Sequence, residues 1–268
     1  MKLFAKKSLG QHFLNSAHVL EQIISAAQIQ QGEQVLEIGP GTGILTRALL
    51  NAGALVIAIE KDERAIAMLE QDFFTDIKEK RLNIITGDVL DEKILSSDSS
   101  SPIHEPFISG SFALVANIPY YITGAILEKF LEHGPRPNRM VLLVQKEVAE
   151  RICARDGKES ILSISVKAFG TPKIAAKVPP GAFTPPPTVD SAILVIENIS
   201  NRAFAEKNLD VKRFFSIVKA GFAHKRKLLA RNLESVIPRG EIGVIWDKIG
   251  FDKNVRAEDL DIEEWLKI

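Results

Sequence analysis

One short run, Glu37-Ile38-Gly39-Pro40-Gly41-Thr42-Gly43, constrains this chain more than any other stretch. It follows the apolar pair Val35-Leu36 and precedes apolar positions at helical spacing, Leu45, Leu49 and Leu50. Strand, glycine-rich turn and helix in that order make a cradle for a nucleotide-like ligand. Glycine turns the backbone at positive φ and admits a ligand where a Cβ would clash. The spacing is G-x-G-x-G, not the G-x-G-x-x-G of dinucleotide-binding turns. With an acid at Glu37, the turn suits a ligand with a ribose and a cationic amino-acid end better than one with a pyrophosphate. The alternative is a glycine-rich turn that binds nothing.

The 268 residues are enough for one large domain plus an appendage. One cysteine, Cys153, excludes an internal disulfide and a cysteine-based metal cluster, and no metal site is expected. The basic N-terminus lacks the apolar core of a secretory signal, and no apolar run approaches the ~20 residues of a membrane span. The expectation is a cytoplasmic protein without membrane contact.

The charges balance, 34 basic against 34 acidic, but they are segregated. Residues 1–20 carry Lys2, Lys6 and Lys7 and no acid. Residues 211–233 carry Lys212, Arg213, Lys219, Lys225, Arg226, Lys227 and Arg231, again with no acid. Two basic segments on a neutral chain suggest a local polyanion footprint, with a solvated helix face as the alternative.

Ala17 to Ile29 reads as an amphipathic helix, after which strands and helices alternate. Strands are expected at 34–38, 55–59, 82–86, 112–116, 140–145 and 189–196. Helices are expected at 45–51, 62–73, 124–131 and 146–153, and 160–168 is a strand or a helix. The run Leu55 to Ile59 is apolar throughout, as in a strand buried on both faces of a parallel sheet. This alternation predicts an α/β fold with a doubly wound sheet and ligands at the carboxyl ends of its strands. The serine-rich stretch Ser96 to Ser111 reads as an inserted surface loop. The pattern turns helical from about Asn201, which predicts a small helical domain at 201–268 after a larger one at 1–200.

The strand ends carry the chemistry. Glu60, beyond the second strand, is placed to accept from ribose hydroxyls. Asp88, beyond the third, is placed to receive the exocyclic amine of an adenine. The neighbours Lys61 and Val89 are counted with them. Asn117-Ile118-Pro119-Tyr120 ends the fourth strand. An aromatic amine is a poor nucleophile, because its lone pair is delocalised into the ring. An Asn side-chain oxygen and a backbone carbonyl, accepting its two hydrogens, pull it toward a pyramidal shape. Pro119 restricts Ile118 to an extended conformation and so directs that carbonyl. Tyr120 offers a face for an unstacked base. Taken singly, each of these is also an ordinary cap, turn or core residue.

The chain resembles class I S-adenosylmethionine-dependent methyltransferases, and among them the ribosomal RNA adenine dimethyltransferases, almost from end to end. Lys7-Ser8-Leu9-Gly10-Gln11-His12-Phe13-Leu14 is similar to the family's K-x-x-G-Q-N-F-L. Asn117 to Tyr120 is similar to its N-[LI]-P-Y, and Val144 to Ala149 and Phe183 to Ser191 also match. The resemblance implies a Rossmann-like doubly wound sheet with a small C-terminal helical domain. It implies S-adenosylmethionine as cofactor, held by His12, Leu14, Glu37, Gly39, Gly41, Gly43, Glu60, Lys61, Asp88, Val89 and Asn117. The implied catalytic set is Asn117, Ile118, Pro119, Tyr120 and Phe183. The implied reaction is N6-dimethylation of two adjacent adenines near the 3′ end of small-subunit rRNA, by a monomer acting on a pre-assembled subunit. Lys6, Lys7, Lys225, Arg226, Lys227 and Arg231 are the expected RNA contacts. The family usually has Asn where this chain has His12, which favours a backbone role there. Phe183 is expected either to close over the target base opposite Tyr120 or to anchor its loop in the core. The competing classes are a nicotinamide dehydrogenase, which needs its third glycine one residue later, and an assembly or transcription factor of the same fold with little catalysis.

Overall fold

The structure, a computed structural model, describes residues 4, 10–95 and 110–268. Lys6 and Lys7, and nearly all of the expected 96–111 loop, lie outside the described residues.

The strands are β1 (Phe13–Leu14), β2 (Gln34–Ile38), β3 (Leu55–Glu60), β4 (Leu82–Thr86), β5 (Phe112–Asn117), β6 (Arg139–Gln145), β7 (Thr171–Val178), β8 (Phe183–Thr184) and β9 (Ser191–Glu197). Seven of them form one sheet in the order β4-β3-β2-β5-β6-β9-β7, and β1 pairs with β8. β2 to β6 run parallel, and β9 returns antiparallel along β6. The chain reverses its winding between β2 and β5, which is where open α/β sheets place their ligand crevice. The register aligns Ile38 with Ile59 and with Ala116, so Glu37, Glu60 and Asn117 share one edge of the sheet.

Both faces of the sheet are covered. Val35, Val56, Ala58, Ala113, Val115, Val141, Leu143, Ile193 and Val195 point to one side, and pack with helices Ala17–Ala27 and Ile44–Asn51. The alternate positions Leu36, Ile57, Leu114, Leu142 and Leu194 are buried too. This is the pattern that continuous apolar strands require.

Local chemistry sets the helix ends. Ser16 caps helix Ala17–Ala27 by accepting from the Val19 N–H. Asp62 caps Glu63–Asp72 by accepting from the Arg64 N–H. A reciprocal Ser160–Ser163 capping box decides the open choice at 160–168 in favour of a helix, Ile161–Lys167. Strand β7 was not expected from the sequence. Its alternation is shallow and it carries Pro172 and two lysines, which suits the edge position it takes.

The chain divides into two compact units, one of residues 1–149 and 173–199, the other of 150–172 and 200–268. The division at 199/200 lies near the boundary expected from the sequence, while 150–172 groups with the helical unit. Phe169 packs against Phe204 and Phe215 at centroid distances of 5.2 and 6.0 Å, and Lys158 pairs with Asp259 at 2.6 Å. These contacts join the crossing segment to the C-terminal helices. Helix Val211–Gly221 buries Phe214, Phe215, Ile217 and Val218 on one face. Lys212, Lys219, Lys225, Arg226, Lys227 and Arg231 are exposed in the same unit.

Candidate active site

A cleft open at its mouth lies over the carboxyl ends of β2 to β5. The glycine turn forms its floor. Gly39, Gly41 and Gly43 take φ values of 65°, 54° and 76°. At Gly43 a Cβ would meet Phe73 at 2.6 Å, and at Gly41 it would meet Phe13 at 3.0 Å, so both are needed for packing. Gly39 is different, since nothing lies within 4 Å of where its Cβ would be. Its bare backbone opens onto the cleft, as a close ligand approach requires.

Three carboxylates follow at successive strand ends. Glu37 is 1% exposed and accepts from Thr46 Oγ1 at 2.7 Å. Burial pushes its carboxyl up to about 8, against the Thr46 hydrogen bond and with help from the Glu60 charge, so it is largely neutral near pH 7 until a cation arrives. Glu60 accepts three backbone N–H groups: Gly41 at 3.1 Å on one oxygen, Lys61 at 2.8 Å and Asp62 at 2.9 Å on the other. It therefore braces the glycine turn as well as facing the cleft. Asp88 accepts from the Leu90 N–H at 3.0 Å and pairs with Lys61 Nζ at 3.3 Å. Partial burial raises the Asp88 carboxyl, but these donors outweigh it and hold it below the ordinary carboxylate range. Val89, 4% exposed, adds an apolar wall with Ile38 and Ile59.

Asn117 closes this series at the end of β5. Its Nδ2 donates to the His12 carbonyl at 3.0 Å. That bond fixes which way the amide points and leaves its oxygen as the acceptor for a ligand amine. His12 Nδ1 donates to the Pro185 carbonyl at 2.8 Å, so the backbone of His12 serves Asn117 while its ring is tied to the proline loop. Leu14 is buried in the cleft wall, as is Ile118. Pro119 begins the turn that carries Tyr120, whose phenol lies 2.6 Å from Ser191 Oγ. The Tyr120 ring stacks on that of His12 at 5.9 Å and 19°.

Phe183 is 3% exposed, sits in the core cluster and pairs with Leu14 across β1 and β8. It is not among the cleft-lining residues, and its burial suits the core-anchor role of the two expected for it. Ser191 closes the Phe183 to Ser191 run, where the sequence alone shows no role for it. Only its contact with Tyr120 reveals one. Lys225, Arg226, Lys227 and Arg231 lie in the helical unit, exposed and away from this chemistry in sequence.

The arrangement offers a neutral-to-anionic pocket for an ammonium, acceptors for a diol and for an aromatic amine, apolar walls for a flat base, and an oriented amide. Among the described residues no group of metal-ligating side chains forms a cluster. No helix among them is long and apolar enough to cross a membrane.

The family model for ribosomal RNA adenine dimethylase matches residues 3–268. Ribosomal RNA small subunit methyltransferase A of Dehalococcoides mccartyi is 40% identical over 271 residues, covering 99% of this chain and 88% of that protein. The protein of the same name from Lactobacillus acidophilus is 38% identical over 268 residues, covering 98% and 90%. Among solved structures, a dimethyladenosine transferase from Plasmodium falciparum has a TM-score of 0.77 at 27% identity, over 96% of this chain and 95% of that one. The 23S rRNA methyltransferase ErmE has a TM-score of 0.70 at 25% identity, over 95% and 97%.

Proposed function

The chain belongs to the ribosomal RNA adenine dimethylase family, and from that membership we propose how its cleft does the work and which RNA it meets. The chain is an S-adenosylmethionine-dependent enzyme that dimethylates adenine in small-subunit rRNA. The finer reading is that its targets are two adjacent adenines near the 3′ end, modified on a pre-assembled subunit in the cytoplasm by a monomer.

The residues present fit the cofactor. Gly39 leaves bare backbone where the methionine part must approach. Glu37 receives the ammonium, and Gly41 and Gly43 shape the turn around it. Glu60 serves the ribose. A carboxylate has about four acceptor sites, and three are occupied by backbone N–H groups, so a diol displaces one of them. Asp88 takes the adenine amine, with Lys61 and Val89 beside it, and the His12–Leu14 backbone borders the cleft. When bound, S-adenosylmethionine supplies an electrophilic methyl group.

The chain's own part is to present the amine. Asn117 Oδ1 and the Ile118 carbonyl accept its two hydrogens and turn its lone pair out of the ring. Pro119 holds Ile118 extended, and Tyr120 supports the base. The observation that carries this reading is the Asn117 amide, held by the His12 carbonyl beside three strand-end carboxylates. Lys225, Arg226, Lys227 and Arg231, with Lys6 and Lys7, meet the phosphates in this reading. The test is transfer of labelled methyl groups to under-methylated small subunits, with mapping of the product nucleotides. Label confined to two neighbouring adenines, absent in Asn117→Ala, is the expected result. Label elsewhere refutes the finer reading.

A further inference from the structure

A second tyrosine follows the first, and the chemistry above makes no use of it. Tyr121 is 63% exposed, whereas Tyr120 ties its phenol to buried Ser191. Both belong to one 3₁₀ turn, Tyr120–Ile122. Successive side chains in such a turn diverge by about 120°. One ring therefore enters the cleft wall while the next stands mostly in water, yet both line the same cleft as Asn117. The outer ring is seated. Gly10, at φ 59°, brings its backbone so close that a Cβ there would stand 3.2 Å from Tyr121 Cε1 and 3.4 Å from Cδ1. A side chain at residue 10 would crowd the ring, and glycine lets the segment pass beneath it.

We propose that Tyr121 is the stacking platform for the nucleobase next to the target adenine. It holds the neighbouring nucleotide at the cleft mouth while the target lies beside Asn117. The inference rests on the RNA-adenine reading of the same site. A strand that delivers one base into a cleft must bring the next base past its rim. An exposed aromatic face there gains from stacking on any base, because every base has a π face. Adjacent target adenines would then exchange places between the platform and the Asn117 site.

The test compares Tyr121→Ala, Tyr121→Leu and Tyr121→Phe with the wild type on under-methylated small subunits. The alanine and leucine variants should raise KM for the subunit about tenfold or more, while phenylalanine stays near wild type, since stacking needs the ring and not the hydroxyl. S-Adenosylmethionine affinity and melting temperature should not move. In a second arm the subunit is reconstituted with an abasic nucleotide on one side or the other of the target. One of these lesions should raise the wild-type KM and leave that of Tyr121→Ala unchanged. An unmoved KM in Tyr121→Ala with normal wild-type turnover overturns the platform alone. A loss of cofactor affinity in place of RNA affinity assigns the ring to the cofactor and also overturns it. A wild type that leaves the subunits unmethylated overturns the RNA-adenine reading itself, and the platform with it.

Discussion

The phenol of Tyr120 lies 2.6 Å from the hydroxyl of Ser191, a residue 71 positions away and wholly buried at the start of β9. The bond ties the turn after β5 to the strand lying against β6. Either hydroxyl removed alone leaves the other without its partner in a part-buried site, at a cost of about 1–3 kcal/mol. Ser191→Ala should therefore lower stability by that order and lower kcat by freeing the Tyr120 ring. Adding Tyr120→Phe should cost less than the sum of the two single changes, as chemical denaturation of the four proteins would show. Additive losses would mean that the contact carries no coupling.

Asn117→Ala should reduce turnover roughly a hundredfold or more, with cofactor affinity much less affected, because the amide acts mainly on the reacting amine. Asn117→Asp keeps an acceptor but loses the donor to the His12 carbonyl, so it should also fail. Single-turnover rates set beside calorimetric binding separate the two effects. Equal losses in binding and rate would make Asn117 a cofactor residue only.

Glu37 predicts a pH dependence of known sign. Its folded pKa is raised from 4.5 to about 8, so the folded protein holds a proton that the unfolded chain releases. The associated stability is complete below about pH 4.5 and is lost progressively as pH rises toward 8. Measured against Glu37→Gln, wild-type stability should fall across that window, by at most about 1.4 kcal/mol per pH unit. S-Adenosylmethionine should bind more tightly as pH rises over the same range and should release protons at neutral pH. Calorimetry in buffers of different ionisation enthalpy measures that release, and none would show that the ammonium is received elsewhere.

Glu60→Ala should weaken S-adenosylmethionine binding more than a lost ribose contact alone would, because the Gly41, Lys61 and Asp62 N–H groups also lose their acceptor. Thermal shift with saturating cofactor should shrink accordingly. NAD should give no shift with the wild type, and a shift equal to that of S-adenosylmethionine would contradict the cofactor assignment.

Replacing Lys225, Arg226 and Lys227 together with Ala should weaken small-subunit binding and flatten its salt dependence, since fewer counterions are released. Cofactor affinity should stay unchanged, because these residues lie in the helical unit and the cofactor cleft is built from the other. Binding measured at two salt concentrations decides it, and an unchanged slope would make the run a solvated surface.

What the sequence determined by itself was local or periodic. The glycine turn, the acids at the ends of β2, β3 and β4 and the two-sided burial of β3 are written in short runs, where backbone sterics and hydrophobic period leave few choices. The helix at 161–167 was undecided because apolar residues fit either period, until the Ser160–Ser163 cap settled it. The tertiary structure alone decided contacts between distant segments. The His12 carbonyl meets Asn117 across 105 positions, and Ser191 meets Tyr120 across 71. Nothing in either segment encodes its partner's distance. Phe183 could be read two ways because an aromatic ring suits a core and a base equally, and pairing with Leu14 buried it. The crossing of 150–172 into the helical unit was equally illegible. It depends on Phe169 finding the aromatic faces of Phe204 and Phe215, and that meeting is arranged by the packed chain and not by sequence neighbours.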